Sequence, residues 1–395
     1  MKVFYIDVES FCANDFIDSL LKYRLHGKKT EIFKYAYSNV GVWHDPDRES
    51  DMLESIRKES PDFAFSFNYY PLVSKVCQKA GLKYISWVYD NPQVALYHYT
   101  LVNSCNEVFL FDSEMYETYA SQGIKTVHYM PLAASTERLD KFTMSDAKAA
   151  SYRSKKVSFV GSMYTEEHNF YERMLPKLDS YVHGYLEGLM RSQIHIQGYN
   201  FIENCLSDDI ISKMYDALPL EPHKDGVDTK NYLYSDYVIN RRITGIERAE
   251  LLTKIARKYP VDLYTKDESF SAPGINNHGI VTYYDYMPYV FKGSDINLNI
   301  SLRSIKKGIP LRCFDIMGCR GFLLSNFQED FFRYFEPDVD FVFYESQSDL
   351  LNKVDFYLQH EDERKAIAER AYEKIKKDHT FNVRVEQILT EAGIT

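Results

Sequence analysis

The sequence predicts an α/β protein of two domains, each a parallel sheet covered by helices on both faces. Three observations carry that expectation. A chain of 395 residues is too long for one ordinary hydrophobic core, so two domains are the default. Its first third alternates short, continuous apolar runs with amphipathic stretches, as parallel strands buried on both sides alternate with their crossover helices. After a polar stretch the same alternation begins again.

In the first series the predicted strands are KVFYID (2–7), EIFKYAY (31–37), DFAFSF (62–67), KYISWVY (83–89), EVFLF (107–111) and KTVHYM (125–130). Helical periodicity separates several of them, over Asp15–Tyr23, Met52–Glu59 and Pro71–Ala80. The segment 136–156 has no apolar period and reads as a connection, so a first domain is expected over 1–150 and a second over 151–395. VSFVGS (157–162) opens the second series. A helix over Tyr171–Leu189, an irregular insertion to about Asn240 and a helix over Gly245–Tyr259 lead to VDLYT, with GIVTYY later. The last hundred residues run DINLNIS, helix, GFLLSN, helix, DFVFY, then helices, the last of which are candidates to pack back on the first domain. Sheets of this Rossmann-like kind bind ligands at the carboxyl ends of their strands, which puts the expected site in a central cleft faced by both sheets.

Composition narrows the function. A formal net charge of −10 disfavours nucleic acid as a partner, because affinity for a duplex rests on neutralising phosphates. The opening MKVFYIDVES reads as a strand, not a signal peptide, since Asp7 and Glu9 interrupt its apolar run. No stretch is long and apolar enough for a transmembrane segment, and six scattered cysteines lack metal-ligand spacing, so reduced thiols in a cytoplasmic protein are expected. Tyr and Phe, at 33 and 25 residues, are abundant enough to supply ring-stacking surfaces, although base composition of the genome explains them equally well.

The chemistry concentrates in DINLNISLRSIKKGIPLRCFDIMGCRGFLLSN (295–326). It reads as a strand ending near Asn299, a loop rich in cations, and a helix opening at Gly308-Ile309-Pro310, where proline suits the first turn. A helix start presents unpaired N–H groups and positive potential. Arg303, Lys306, Lys307 and Arg312 crowd the same place, a setting suited to a diphosphate. Arg312 and Asp315 share one helix face, where a carboxylate beyond an anion site can accept from ribose hydroxyls. As an isolated pair they would read only as a surface ion pair.

This stretch resembles the C-terminal domain of the spore-maturation (CgeB/YkvP-like) glycosyltransferases, a branch of the GT-B superfamily. The likeness continues through FEPDVDFVFYES and the terminal helices, with His379, Thr380, Phe381 and Arg384 matching a His-Thr-Phe…Arg signature. VSFVGS, YYDYMPYVFKGSDINLNIS, YISWVYDNP and HYMPLA also look like this family, so nearly the whole chain is covered. The resemblance implies a GT-B enzyme that moves a sugar from a nucleotide-sugar donor, with UDP-sugar the expected donor and no cofactor or metal required. It places Gly161 and Ser162 beside the donor phosphates, Tyr283, Tyr284 and Tyr286 around the base, and Asp315 where relatives carry a ribose-binding Glu. Lys307 stands where many retaining enzymes have another Glu, and with Arg303 it looks like a phosphate-neutralising group. Asn299 belongs to the same expected donor set.

For the acceptor, polar groups after the predicted strands are the candidates: Asp7, Glu9, Asn68, Asp90, Asn91, Asp112 and Ser113. Asp90 is the expected general base and Glu9 the second choice. Asp112 with Ser113 reads equally as a helix cap, and Asp90 before Asn-Pro equally as a turn residue. Asp338-Val339-Asp340 reads as structural, and His360-Glu361 lacks the second His of a zinc helix. The expected acceptor is a bacterial surface protein or glycan. Two further readings remain: a nucleotide-sugar epimerase or hydrolase, and a catalytically inactive glycan- or partner-binding protein.

Overall fold

The computed structural model describes residues 1–165 and 169–394. Among them the chain divides into two compact units, one comprising Met1–Ser135, His223–Asp228 and the segment from Asp378, the other Thr136–Pro222 and Thr229–Lys377. Each is built on a six-stranded sheet in which every pairing is parallel.

The first unit contains β1 (Lys2–Asp7), β2 (Glu31–Ala36), β3 (Phe63–Phe67), β4 (Lys83–Val88), β5 (Asn106–Leu110) and β6 (Val127–Tyr129), in the order β2-β1-β3-β4-β5-β6. All five residues of β3 are buried, as its unbroken FAFSF requires of a strand covered on both faces. Helices start where caps are available. Asp45 accepts from the Arg48 N–H at 3.1 Å ahead of Pro46, and Asp112 accepts from the Glu114 N–H at 3.0 Å. The chain leaves β1 for β2 on one side and returns to β3 on the other, so the topological switch lies between β1 and β3.

The second unit contains β7 (Lys155–Val160), β8 (Val261–Tyr264), β9 (Ile275–Asn277), β10 (Ser294–Asn299), β11 (Leu323–Asn326) and β12 (Val342–Tyr344), in the order β12-β11-β10-β7-β8-β9. Its switch lies between β7 and β10. That is the dinucleotide-fold arrangement, with the first strand of the series at the centre.

Several expectations are corrected. The first unit's leading segment runs to Ser135 and not to about 150, because residues 136–156 carry their own contacts within the second unit. Tyr372 donates to Asp140 at 2.6 Å, Arg320 pairs with Asp140 at 2.8 Å, and Tyr289 donates to Asp146 at 2.8 Å. A continuous helix over 171–189 is replaced by Phe170–Met174 and Ser180–Ile194, interrupted at Pro176 and recapped by Asp179. GIVTYY is not a strand; the ninth strand precedes it. The insertion, by contrast, is the ordinary helical elaboration that its sequence favours, including Asp208–Ala217.

The terminal helix Phe381–Glu391 belongs to the first unit. The Phe381 ring meets Trp87 edge-on at 6.0 Å, and Arg384 donates to the carbonyls of Pro131 (2.9 Å) and Asp378 (3.0 Å). The His-Thr-Phe…Arg residues therefore have a mechanical role as a dock for the C-terminus: Thr380 caps the helix, and the His379 carbonyl accepts from the Ala134 N–H at 3.0 Å.

Candidate functional site

The carboxyl edge of the second sheet, at its switch point, is organised around Arg312. This residue lies in the first turn of the helix Leu311–Gly318, after Pro310. Its Nε donates to Asn299 Oδ1 at 3.3 Å and its Nη1 donates to the Val160 carbonyl, so it spans the ends of β10 and β7. The guanidinium also lies 5.0 Å over the Phe159 ring. Nη2 has no hydrogen-bond partner among the described residues. Asn299 is buried and donates its amide to Ser301 Oγ (3.0 Å) and Ser325 Oγ (2.9 Å), which turns Oδ1 toward the arginine.

Gly161 explains how the guanidinium fits. A β-carbon there would stand 2.4 Å from Arg312 Nη1, so the bare backbone is what leaves room for the cation. The Gly161 N–H is satisfied by the Tyr264 carbonyl at 2.9 Å. Ser162 follows, its hydroxyl accepting from the Tyr164 N–H at 3.1 Å and its carbonyl accepting from Arg248.

Arg248 is the residue that sequence reasoning missed. It sits in the helix Asn240–Ala256, 2% exposed, with Nε donating to the Ile300 carbonyl at 3.0 Å. Its guanidinium lies 5.1 Å from the Phe159 ring and 5.0 Å from Tyr164. Gly245 permits this approach, since a β-carbon there would stand 3.0 Å from the Met163 carbonyl. Two arginines thus share Phe159 at the ends of β7 and β10. Burial, then Arg248, lowers Arg312 to about 10, which still leaves it charged at neutral pH. Burial likewise lowers Arg248. The signal was available: Thr244, Arg248, Leu251 and Ile255 lie on one helical stripe that is otherwise apolar or small.

The remaining expected donor residues divide. Arg303 does not join this cluster as a phosphate-neutralising group. It is 9% exposed and makes a two-pronged pair with Glu247, at 2.9 and 2.8 Å, while donating to the carbonyls of Ile196 (2.9 Å) and Ile194 (3.2 Å). That geometry fixes the loop after β10 to neighbouring helices. Lys307 pairs with Glu329 at 3.5 Å. Asp315 is 1% exposed and accepts from the Tyr283 hydroxyl at 3.1 Å, so the ribose expectation meets a carboxylate held inside the fold by a partly exposed tyrosine. Arg138 lies 5.0 Å over Tyr283 and 5.1 Å over Tyr284. Tyr286, 36% exposed, stands apart, near Tyr152 at 6.1 Å and under Lys148 at 5.7 Å.

In the first unit, Glu9, Asn68, Asp90 and Asp112 follow β1, β3, β4 and β5, neighbouring strands, and so share one sheet edge. Glu9 is exposed and its N–H donates to Asp7 Oδ1 at 3.1 Å. Asp90 is exposed, and the Asn68 amide donates to its Oδ2 at 2.8 Å. Asn68 Oδ1 in turn accepts from the N–H groups of Tyr89 (3.2 Å) and Asp90 (3.3 Å), which fixes the amide orientation. Asp112 is fully buried and acts as the helix cap.

Residues 241–390 match the sequence profile of the family described as Glycosyl transferase-like, a stretch that includes Arg248, Asn299 and Arg312. No curated protein matches the sequence significantly. Among solved structures, a glycosyltransferase from Rickettsia africae is similar with a TM-score of 0.56 at 10% identity, covering 100% of this chain and 98% of its own. Anabaena HepE, solved in complex with UDP-glucose, gives 0.58 at 10% identity with 100% of both chains covered. Sucrose-phosphate synthase from Thermosynechococcus elongatus gives 0.54 at 9% identity, covering 100% and 99%. The fold is therefore that of the GT-B glycosyltransferases, two Rossmann-like parallel-sheet domains, and the profile match with this fold supports a glycosyltransferase. Among the described residues, no helix is long and apolar enough to cross a membrane.

Proposed function

We propose that the protein transfers a sugar from a UDP-sugar to a hydroxyl of a bacterial surface protein or glycan, in the manner of the spore-maturation branch that its sequence resembles. The observation that carries this reading is the Arg312 guanidinium at the β7–β10 switch point, held on two sides and offering Nη2 to an anion. Arg312 binds the diphosphate, with Gly161 allowing close backbone approach and Lys307 adding charge. As the bond between the anomeric carbon and the diphosphate oxygen breaks, negative charge grows on the leaving UDP, and these cations stabilise it without calling on a metal. Tyr283, braced by Asp315, is the candidate for the nucleoside. Uracil is the expected base because HepE, with the same fold, is solved with UDP-glucose. In the first unit Asp90, oriented by Asn68, takes the proton of the acceptor hydroxyl as the new bond forms, with Glu9 as the alternative base.

Calorimetric titration tests this with nucleoside diphosphates and nucleotide sugars in the presence of a chelator, on the wild type and on Arg312→Ala. Wild-type binding of a uridine nucleotide, lost in a folded variant, is the expected result. Absence of binding by every nucleotide overturns the transferase reading.

A further inference from the structure

The first unit also holds a cluster that the transfer reaction does not use. His98 lies between the short helical turns Val94–Tyr97 and Tyr99–Val102 and is 1% exposed. Its Nε2 is buried with no hydrogen-bond partner among the described residues. An unpaired polar atom in that position is costly unless something satisfies it. Facing it is the turn at His223–Asp228, a segment that belongs to the first unit although its flanks belong to the second. The turn is pinned by backbone bonds from Tyr99 N–H to the Asp225 carbonyl and from Val227 N–H to the Tyr97 carbonyl, both 3.0 Å. Asp228 accepts from the His223 N–H. Trp43 packs 3.7 Å from the His223 ring and meets His98 edge-on at 5.3 Å. Asp225 Oδ2 comes within 3.9 Å of His98 Nε2, and one ligand atom from each of His98, His223 and Asp225 lies within 4.8 Å of the other two.

We propose that His98 Nε2, His223 and Asp225 bind one divalent transition-metal ion, zinc being the natural fit, which fastens the 223–228 turn to the first unit. Two imidazoles and a carboxylate form a borderline donor set suited to zinc, with water as the fourth ligand. Zinc–ligand bonds of roughly 2.0–2.2 Å in a tetrahedron put ligand atoms about 3.4 Å apart. Closing from the present spacing takes modest rotation of half-buried His223 and exposed Asp225, while buried His98 stays fixed. Burial disfavours the charged form of both rings, which suits ligation by neutral imidazole. The charged groups acting on them are Lys75, Lys224, Asp225 and Asp228. The second ring nitrogen of His98 also has a partner. Without metal, Nδ1 accepts from the Thr100 N–H at 3.2 Å and Nε2 carries the proton; with metal on Nε2, the proton moves to Nδ1, which exchanges that bond for one donated to Thr100 Oγ1, 2.8 Å away. The opposite reading is a bare His98–Asp225 contact with the proton on Nε2.

The test uses the full chain, stripped with a chelator, then titrated with Zn²⁺ against a chromophoric competitor and separately with Co²⁺ followed by visible absorption. One equivalent per chain is expected, with the d–d bands of a low-symmetry cobalt site. His223→Ala, at a half-buried position, and Asp225→Asn, at an exposed one, should each weaken Zn²⁺ binding at least about tenfold while the chain stays folded, since ligand loss costs no less than loss of an outer-shell partner. Trypsin cleavage at exposed Lys224 should slow with Zn²⁺ in the wild type and not in His223→Ala. No stoichiometric binding, or equal affinity in both variants and the wild type, overturns the proposal.

Discussion

Gly161→Ala is the most direct probe of the arginine site, because it changes Arg312 without deleting it. The added β-carbon would stand 2.4 Å from Nη1, whereas ordinary contact begins at 3.4 Å, so the guanidinium must retreat by about 1 Å. The Nε contact to Asn299 is already 3.3 Å, and such a shift takes it past hydrogen-bond length. A phosphate held by one charge-assisted bond from this group then loses about 1.5–3 kcal/mol, or roughly 10- to 150-fold in Kd. Overpacking costs the fold about 1–3 kcal/mol, which a melting curve registers separately. The assay is a double-mutant cycle on UDP affinity with Arg312→Ala. Both changes act through one guanidinium, so the double variant should bind no worse than Arg312→Ala alone. Fully additive losses would show that Gly161→Ala acts other than through Arg312, and an unchanged Kd in Gly161→Ala would refute the argument that the displaced guanidinium holds the donor.

Three other outcomes follow from the geometry. Arg303→Met leaves the Glu247 carboxylate buried without its partner and should cost stability by about 3–5 kcal/mol, seen as a large drop in melting temperature; a surface-like effect would refute the internal role. Asp90→Asn should lower kcat by at least about 100-fold with donor Kd unchanged, and an unaffected kcat removes Asp90 as the base. His98 is depressed to about 4 in the folded chain against about 6.5 unfolded, so its contribution is fully present above pH 6.5 and is lost as pH falls toward 4. Thermal melts in chelator across that window should show a slope that His98→Gln flattens.

The strands of both sheets other than β9 were legible because a continuous apolar run between amphipathic helices fits little besides a parallel strand buried on both faces, whereas β9 is a short, half-exposed INN. KVFYID and DINLNIS fall almost residue for residue on β1 and β10. What failed was punctuation. Residues 136–156 look like a linker because their order comes from single side chains such as Asp140 and Asp146 finding distant partners, which leaves no periodic trace. The cation loop was legible as a cluster, but spacing cannot say which cation faces inward. Arg303 and Arg312 are equally charged in sequence, yet one meets Glu247 from a helix some fifty residues upstream and the other meets backbone carbonyl and amide oxygens. Arg248 was hidden by the opposite effect, as a charge within an apolar stripe that reads as tolerated core.

Arg303 also shows what is unusual about the other two arginines. A buried guanidinium is ordinarily matched by a carboxylate, as Arg303 is by Glu247, since an unpaired buried charge is expensive. Among the described residues, neither Arg248 nor Arg312 forms an ion pair, and the two oppose each other across Phe159 strongly enough that Arg248 contributes to lowering Arg312. Positive charge held this way is relieved by an anion, and the fold should be more stable with one bound. Pyrophosphate, which carries the diphosphate charge and nothing of the nucleoside or sugar, isolates that term. At 100 times its Kd a ligand that binds only the folded state stabilises by about 2.7 kcal/mol, a readable rise in melting temperature. The rise should disappear in Arg312→Ala and persist in Asp90→Asn, and an equal rise in Arg312→Ala would move the anion elsewhere.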